Sequence, residues 1–182
     1  IDLIELDIEK NWSKSKLHLS IGYGSTSFLV NSISTATSLG LSTNTVNVMQ
    51  AYYSMHTSYG LGFMIGKFES PVGHETYNHM DNSQYTRSFG FALAPYFSTG
   101  LGVNYSHDMF TAGLIVSNGS GMDTDTRDDN KTLALVVDVD PMENLHFDLN
   151  YVTGKEGNST ANDVVVSTID FSVSYMINEM FD

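Results

Sequence analysis

An alternation of apolar and polar residues recurs along most of this chain. Residues 132–139 read Thr-Leu-Ala-Leu-Val-Val-Asp-Val, and residues 144–151 read Asn-Leu-His-Phe-Asp-Leu-Asn-Tyr. Because successive residues of a β-strand point to opposite faces, each such segment predicts a strand with one apolar and one polar face. Soluble β-sandwiches show the same period, so the alternation predicts strands and leaves their surroundings open.

The pattern predicts nine strands, most of them about 9–11 residues long, which is the length that a tilted strand needs to cross a bilayer. They are expected near residues 2–9, 16–24, 45–55, 60–68, 99–106, 109–118, 131–140, 144–153 and 164–177. The third segment alternates less cleanly than the others.

The connections between the predicted strands alternate in length. Residues 11–15, 57–59, 107–108 and 141–143 form short connections, and residues 25–44, 69–98, 119–130 and 154–163 form long ones. Short turns on one side and long loops on the other are typical of outer-membrane barrels. Residues 1–182 are therefore expected to form a single all-β domain, an antiparallel transmembrane β-barrel.

The segment at residues 88–96 also alternates, but a further spanning strand there would break the order of short and long connections. Pro95 lacks the N–H that a central ladder needs. We expect this segment to belong to the long loop 69–98, folded into the lumen or against the wall. Nine strands are an odd number, and the first would run downward, so the sequence predicts part of a larger even-numbered barrel that is incomplete at both ends.

Composition excludes several classes of protein. The chain carries 8 Lys and Arg against 21 Asp and Glu, for a net charge of −13, which argues against nucleic-acid binding. It has no cysteine, hence no disulfide framework or thiolate metal site. No catalytic serine motif or phosphate-binding loop occurs, and the His74, Glu75, His79 spacing does not fit a zinc protease. We expect no enzymatic activity, no metal and no cofactor.

A set of short motifs runs from Gln50 onward. The motifs are Gln50-Ala51-Tyr52, Gly66-Lys67-Phe68-Glu69-Ser70-Pro71-Val72-Gly73-His74-Glu75, Asn82, Tyr85-Thr86-Arg87-Ser88, Pro95, Thr99-Gly100 and Asn150-Tyr151-Val152-Thr153-Gly154. Through these motifs the chain resembles the OmpL-like β-barrel porins of Gram-negative outer membranes. The resemblance covers about two-thirds of the chain and departs from the family pattern at Ser70, where threonine is usual, and at Thr86, where serine is usual. It implies an outer-membrane porin.

The polar face of the predicted strands is acidic and rich in small residues. Because charge on a lipid-facing surface is costly, we expect this face to line a water-filled pore that favours cations. A solvated sheet face and an interior filled by paired side chains are the alternatives. The predicted pore-lining residues are Glu5, Asp7, Glu9, His18, Asn104, Asp138, His146, Asp148, Asn150 and Asp170.

The loop 69–98 carries candidates for a constriction, namely Glu75, Asp81, Asn82, Tyr85 and Arg87. If the loop folds inward, acidic residues facing Arg87 would create a transverse field across the passage. The alternative is that Asn82 and Arg87 only fix the fold of the loop, with Arg87 bound to a carboxylate.

Aromatic residues cluster near the ends of the predicted strands, which suits the girdles at the two membrane interfaces. These residues are Trp12, Tyr59, Tyr105, Phe110 and Tyr175 on the side of the short turns, and Tyr23 and Tyr151 on the side of the long loops.

The sequence thus predicts a passive diffusion channel in a bacterial outer membrane, in contact with lipid and lipopolysaccharide, for small polar or cationic solutes. A structural or partner-binding surface barrel without an open lumen is the rival, and a soluble all-β domain is a further alternative. A homo-oligomer or a surface partner remains open.

Overall fold

Nine antiparallel strands make up almost all the regular structure in the part of the chain that the structure describes. The computed structural model describes residues 2–28, 46–73, 75–78, 80, 82, 86–88, 91, 96–119, 130–156 and 164–177. The strands are β1 (Ile4–Asn11), β2 (Ser15–Tyr23), β3 (Val46–His56), β4 (Leu61–Glu69), β5 (Phe97–His107), β6 (Phe110–Ser117), β7 (Thr132–Met142), β8 (Leu145–Glu156) and β9 (Val164–Tyr175). All nine predicted strands are present.

The strands form a single sheet in the order of the sequence, each antiparallel to the next. The short turns at residues 12–14, 57–60, 108–109 and 143–144 therefore all lie at the same end of the strands, and the strand ends that the long connections join lie at the opposite end. Within the described residues, no ladder joins β1 to β9. No helix among them has the length and apolar character required to span a membrane.

Some strand boundaries differ from the prediction. Strand β1 begins at Ile4 and continues to Asn11, because Lys10 and Asn11 pair with Leu17 and Lys16 of β2. Strand β7 continues through Pro141 to Met142, with a register shift after Val139. The irregularity accommodates a proline that cannot donate to a ladder.

One face of the sheet is apolar and exposed. Its side chains project outward from every strand, and Ile169 is 73% exposed. The exposed set includes Ile4, Leu6 and Ile8 of β1, Leu61, Phe63 and Ile65 of β4, Leu101 and Val103 of β5, Leu133 and Leu135 of β7, and Phe171 and Val173 of β9. Soluble monomers rarely expose contiguous apolar surfaces of more than a few hundred Å².

The imperfect alternation of β3 has a structural cause. The register between β2 and β3 shifts so that Ser20 pairs with Gln50 while Ile21 pairs with Val48. Met49 is the extra residue of this β-bulge, and its side chain is fully buried. An extra residue shifts the alternation by one, so that the side chains after it point to the opposite faces. The exposed apolar residues of β3 are therefore the even-numbered Val46 and Val48 before Met49, and the odd-numbered Tyr53 and Met55 after it.

A second irregularity lies in β4 at Gly66, whose φ of +129° is rarely adopted by other residues. A Cβ atom at this position would collide with the carbonyl oxygen of Ala51 and the Cα atom of Tyr52 on the neighbouring strand. The glycine is required because the two backbones approach each other closely here.

Two groups of buried apolar residues lie on the inner side of the sheet. The first contains Met49, Tyr77, Phe91, Tyr96 and Phe97. The second contains Phe68, Val72, Ile115, Ala134 and Val152. Because Val72, Tyr77, Phe91 and Tyr96 belong to the connection between β4 and β5, these described residues of the connection pack against the inner side of the sheet.

Candidate functional site

The ten predicted pore-lining residues share one face of the sheet, opposite the exposed apolar residues. Directly paired residues on neighbouring strands point to the same side. Glu9 pairs with His18, Asn150 with Asp170, and Asp138 with Asp148. The other predicted lining residues lie on the same face because side chains alternate along each strand. The set is Glu5, Asp7, Glu9, His18, Asn104, Asp138, His146, Asp148, Asn150 and Asp170; whether they line a conducting pore remains a prediction.

The inner face of β1 and β2 carries a network around Glu9. Oε1 of Glu9 lies 2.5 Å from Nζ of Lys16 and 2.9 Å from Nδ1 of His18. The imidazole ring of His18 stacks on Tyr52, with the ring centroids 5.0 Å apart. Nε2 of His18 lies 3.6 Å from Oδ1 of Asp7, which is too long for a hydrogen bond.

A second network lies on β7, β8 and β9. Nδ1 of His146 lies 2.5 Å from Oδ1 of Asp140, and its Nε2 lies 2.7 Å from Oδ1 of Asp148. Ser172 donates a hydrogen bond of 2.5 Å to the other oxygen of Asp148. Carboxylates only accept hydrogen bonds, so a doubly protonated His146 ring satisfies both contacts.

Of the described residues, Asp138, His146 and Asp148 form the one group that could hold a metal ion. Their ligand atoms lie within 4.8 Å of one another. Oxygen and imidazole ligands suit a divalent cation. A metal would have to displace the contacts that His146 makes with Asp140 and Asp148, so the network in its present form is satisfied without an ion.

The β4–β5 connection contacts both end strands of the sheet. The backbone N–H of Gly73 donates a hydrogen bond of 3.0 Å to Oδ2 of Asp170 on β9. The hydroxyl of Tyr77 donates one of 2.6 Å to Oε1 of Glu5 on β1. Gly73 and Tyr77 are only four residues apart, and four residues of extended backbone span at most on the order of 14 Å. Because one contacts β9 and the other contacts β1, the sheet is curled so that the inner faces of these two strands are turned toward each other.

Burial of Tyr77 raises the pKa of its phenol far above the ordinary value, and the contact with Glu5 raises it further. The hydroxyl is therefore protonated and acts as a donor. Ser20 also donates to the same oxygen of Glu5.

The constriction candidates that the structure describes are held within the β4–β5 connection. Glu75 accepts hydrogen bonds from the backbone N–H of Ser88 at 2.8 and 3.0 Å. Asn82 accepts one of 2.8 Å from the backbone N–H of Thr76. Arg87 donates to the carbonyl of Tyr77 and lies over the ring of Phe91, 4.3 Å from its centroid.

Asp81 and Tyr85 lie outside the described residues, as does most of the segment 88–96. Within that segment Ser88, Phe91 and Tyr96 belong to no strand. The transverse field across a constriction therefore remains a prediction.

Six of the seven predicted interface aromatics lie at or near the ends of strands, and Tyr151 lies near the middle of one. Trp12 and Tyr59 lie in short turns, where Tyr59 is 85% exposed. Tyr105 and Phe110 flank the β5–β6 turn, with their ring centroids 6.1 Å apart. The exposed Tyr175 ends β9 near the β7–β8 turn. Tyr23 ends β2 toward the long connections, and Tyr151 lies within β8.

Several inward-facing residues were not predicted from the sequence. Ala134 and Val152 occupy inward positions of β7 and β8, and Ile115 occupies one on β6. The alternation already placed these three apolar residues at positions of the polar face. Apolar residues at such positions indicate that something packs against the inner face there. The role of Tyr77 had no comparable signal, because its partner Glu5 lies 72 residues away.

An antiparallel sheet with an apolar outer face and a carboxylate-bearing inner face has the arrangement typical of β-barrel porins. A family model described as "Putative beta-barrel porin-2, OmpL-like" matches residues 1–182, and the chain belongs to this family. The match confirms the resemblance from Gln50 onward and extends it over the first strands. No match was found among curated proteins.

Proposed function

We propose that the chain forms a passive, cation-preferring diffusion channel for small polar solutes in a bacterial outer membrane. The observation that carries the proposal is the separation of the two faces of the sheet. The outer face exposes apolar side chains from every strand, and the inner face carries six of the carboxylates and histidines of the predicted lining on β1, β2 and β8. This separation suits lipid on one side and water on the other.

The outer face supports a position in lipid. Removing apolar surface from water stabilises by about 25 cal/mol per Å². An apolar face that extends over all nine described strands is therefore strongly favoured in contact with hydrocarbon. Turn aromatics such as Trp12 and Tyr59 suit the interface with the headgroups. Lipid and lipopolysaccharide are the surroundings that this surface fits.

The inner face supports a preference for cations. Asp7 and Asp170 lie on β1 and β9, the first and last strands of the sheet. Asp138 and Asp148 lie on β7 and β8, between those two strands in the strand order. A passage lined by one sign of charge concentrates ions of the opposite sign. Transport would be passive, with the solute crossing by diffusion and with no bond made or broken.

Bilayer recording tests the proposal. Purified full-length chain in a planar bilayer, under a KCl gradient, should give stepwise currents with a reversal potential of the sign expected for K⁺ selectivity. Exchanging Asp7 and Asp148 for asparagine should reduce that selectivity. Asp108→Asn is the matched control, since the Asp108 side chain is 79% exposed in the β5–β6 turn. An anion-selective current would contradict the cation preference.

One observation favours a second function, a structural or partner-binding barrel whose lumen is closed. The β4–β5 connection reaches Asp170 through Gly73 and Glu5 through Tyr77, and it fills space between the inner faces of β1 and β9. The same bilayer recording separates the two functions, because a barrel whose lumen is blocked gives no current steps at any voltage.

A further inference from the structure

A recess lies between the inner face of β1 to β3 and the β4–β5 connection. Its volume is about 270 Å³, just below the roughly 300–1,000 Å³ of drug-sized sites, so it suits a small solute. Its lining includes Glu5, Asp7, Glu9, His18, Glu69 and Tyr77.

His18 is the feature of this recess that points to a ligand. The residue is 8% exposed, and its Nε2 is buried without a hydrogen-bond partner. Nδ1 lies 2.9 Å from a carboxylate oxygen of Glu9, which can only accept, so Nδ1 carries a hydrogen. In the neutral ring Nε2 is then an acceptor. Buried polar atoms are rarely left unpaired, so a hydrogen-donating group fits here.

The charge of the recess narrows the class of ligand. Four carboxylates line it, and Lys16 lies 2.5 Å from Glu9. Glu5 accepts from two neutral hydroxyls, those of Ser20 and Tyr77, which leave its charge in place. Asp7 has a half-exposed side chain, and its Oδ1 lies 3.6 Å from Nε2 of His18. Anions would be repelled, and a neutral solute would leave the excess negative charge uncompensated.

A bare metal ion fits less well than an organic cation. In the part of the chain that the structure describes, the group whose ligand atoms converge within 4.8 Å is Asp138, His146 and Asp148, which lie on the same inner face but on β7 and β8, several strands away from the recess. The lining of the recess is more widely spaced, which suits several N–H groups distributed over one solute.

We propose that this recess binds a small organic cation that carries a guanidinium or ammonium group. Its N–H groups donate to Nε2 of His18 and to the carboxylates of Asp7 and Glu5. The inference deepens the proposed function, on which it rests for access from the lumen, and it names the class of solute that the inner face holds.

The test is a ligand-observed NMR titration of the purified full chain in detergent. The probe is methylguanidinium, and methylurea is its neutral counterpart of the same shape. Methylguanidinium should bind saturably, and methylurea should not. Asp7→Asn should weaken binding about tenfold or more, because the hydrogen-bond acceptor loses its negative charge. Asp148→Asn removes the same charge from the opposite wall and should leave the affinity unchanged.

A His18→Gln variant should weaken binding as well, and Asp7→Asn keeps the test decisive if His18→Gln fails to fold. Equal binding of the two probes, or equal loss in Asp7→Asn and Asp148→Asn, would overturn the proposal. Mg²⁺ displacing the probe at equimolar concentration would also overturn it. The titration needs no conduction, so saturable binding with silent bilayers would contradict the channel alone, and selective currents without binding would contradict the recess alone.

Discussion

The hydroxyl of Tyr77 donates a hydrogen bond of 2.6 Å to Oε1 of Glu5, joining the β4–β5 connection to the first strand. Tyr77 is also packed against the ring of Phe97, whose centroid lies 5.3 Å away. Together with the contact between Gly73 and Asp170, this bond holds the connection against the inner faces of both end strands. The position of the connection therefore depends on a small number of polar contacts.

Tyr77→Phe should loosen the connection, because it removes that hydrogen bond and leaves the ring in place. The loss is expected to be about 1 kcal/mol. Limited trypsin digestion should cut after Arg87 about fivefold faster, since cleavage follows the population of the opened form. Tyr59→Phe, at an exposed turn residue, should leave the rate unchanged. An unaltered rate in Tyr77→Phe would show that the bond does not hold the connection.

Arg87 ties two parts of the connection together through the carbonyl of Tyr77 and the ring of Phe91. If the connection forms the predicted constriction, Arg87→Ala should increase the single-channel current and its open-state noise, because the connection would be less firmly held. Arg87→Lys keeps the charge but loses the planar guanidinium, so it should produce a smaller change. Currents and selectivity equal to those of the unaltered protein in Arg87→Ala would rule out the constriction role.

The sequence was sufficient to predict the strands and their two faces, because the alternation at residues 132–139 and 144–151 directly reflects the geometry of a β-strand. It did not reveal where that alternation is interrupted. Met49 enters a bulge, and Phe97 is fully buried although Leu101 and Val103 of the same strand are exposed. Met49 and Phe97 belong to the same buried group as Tyr77, which comes from the β4–β5 connection.

For the candidate site, the sequence predicted which residues share the inner face but did not predict the contacts between them. The polar residues of the inner face follow from strand parity, as the pairing of Glu9 with His18 shows. The contacts that organise them, such as those of Gly73 with Asp170 and Tyr77 with Glu5, depend on the curl of the whole sheet and have no local signal.

A charge on the outer face should be far more costly than the same charge on the inner face. Val103→Arg is expected to lower the free energy of unfolding in lipid vesicles by about 2–4 kcal/mol if the residue lies near the bilayer midplane. Asn104→Arg, one residue further along β5 and on the inner face, should cost less than about 1 kcal/mol. Urea titrations of the two variants provide the measurement, and equal losses would contradict the assignment of faces.

Gly66→Ala should destabilise the sheet by about 1–3 kcal/mol, because alanine disfavours a φ of +129° and its Cβ would collide with β3. Gly102→Ala is the control, since a Cβ there would lie 3.6 Å from Cγ1 of Ile115, an ordinary contact. The urea midpoint of refolded protein should fall in the first variant and change little in the second. A midpoint that is unchanged in Gly66→Ala would be inconsistent with this local geometry.

Substituted-cysteine accessibility tests the central claim most directly, because the chain contains no cysteine of its own. Single cysteines placed along β5 at 101, 103, 104 and 106 are treated with a charged, water-soluble thiol reagent during bilayer recording. We predict that cysteines at 104 and 106 on the inner face react and reduce the current, while those at 101 and 103 stay unmodified in lipid. Equal reactivity at all four positions, or modification at 104 and 106 without any effect on the current, would contradict the account of one face in lipid and the other lining the passage.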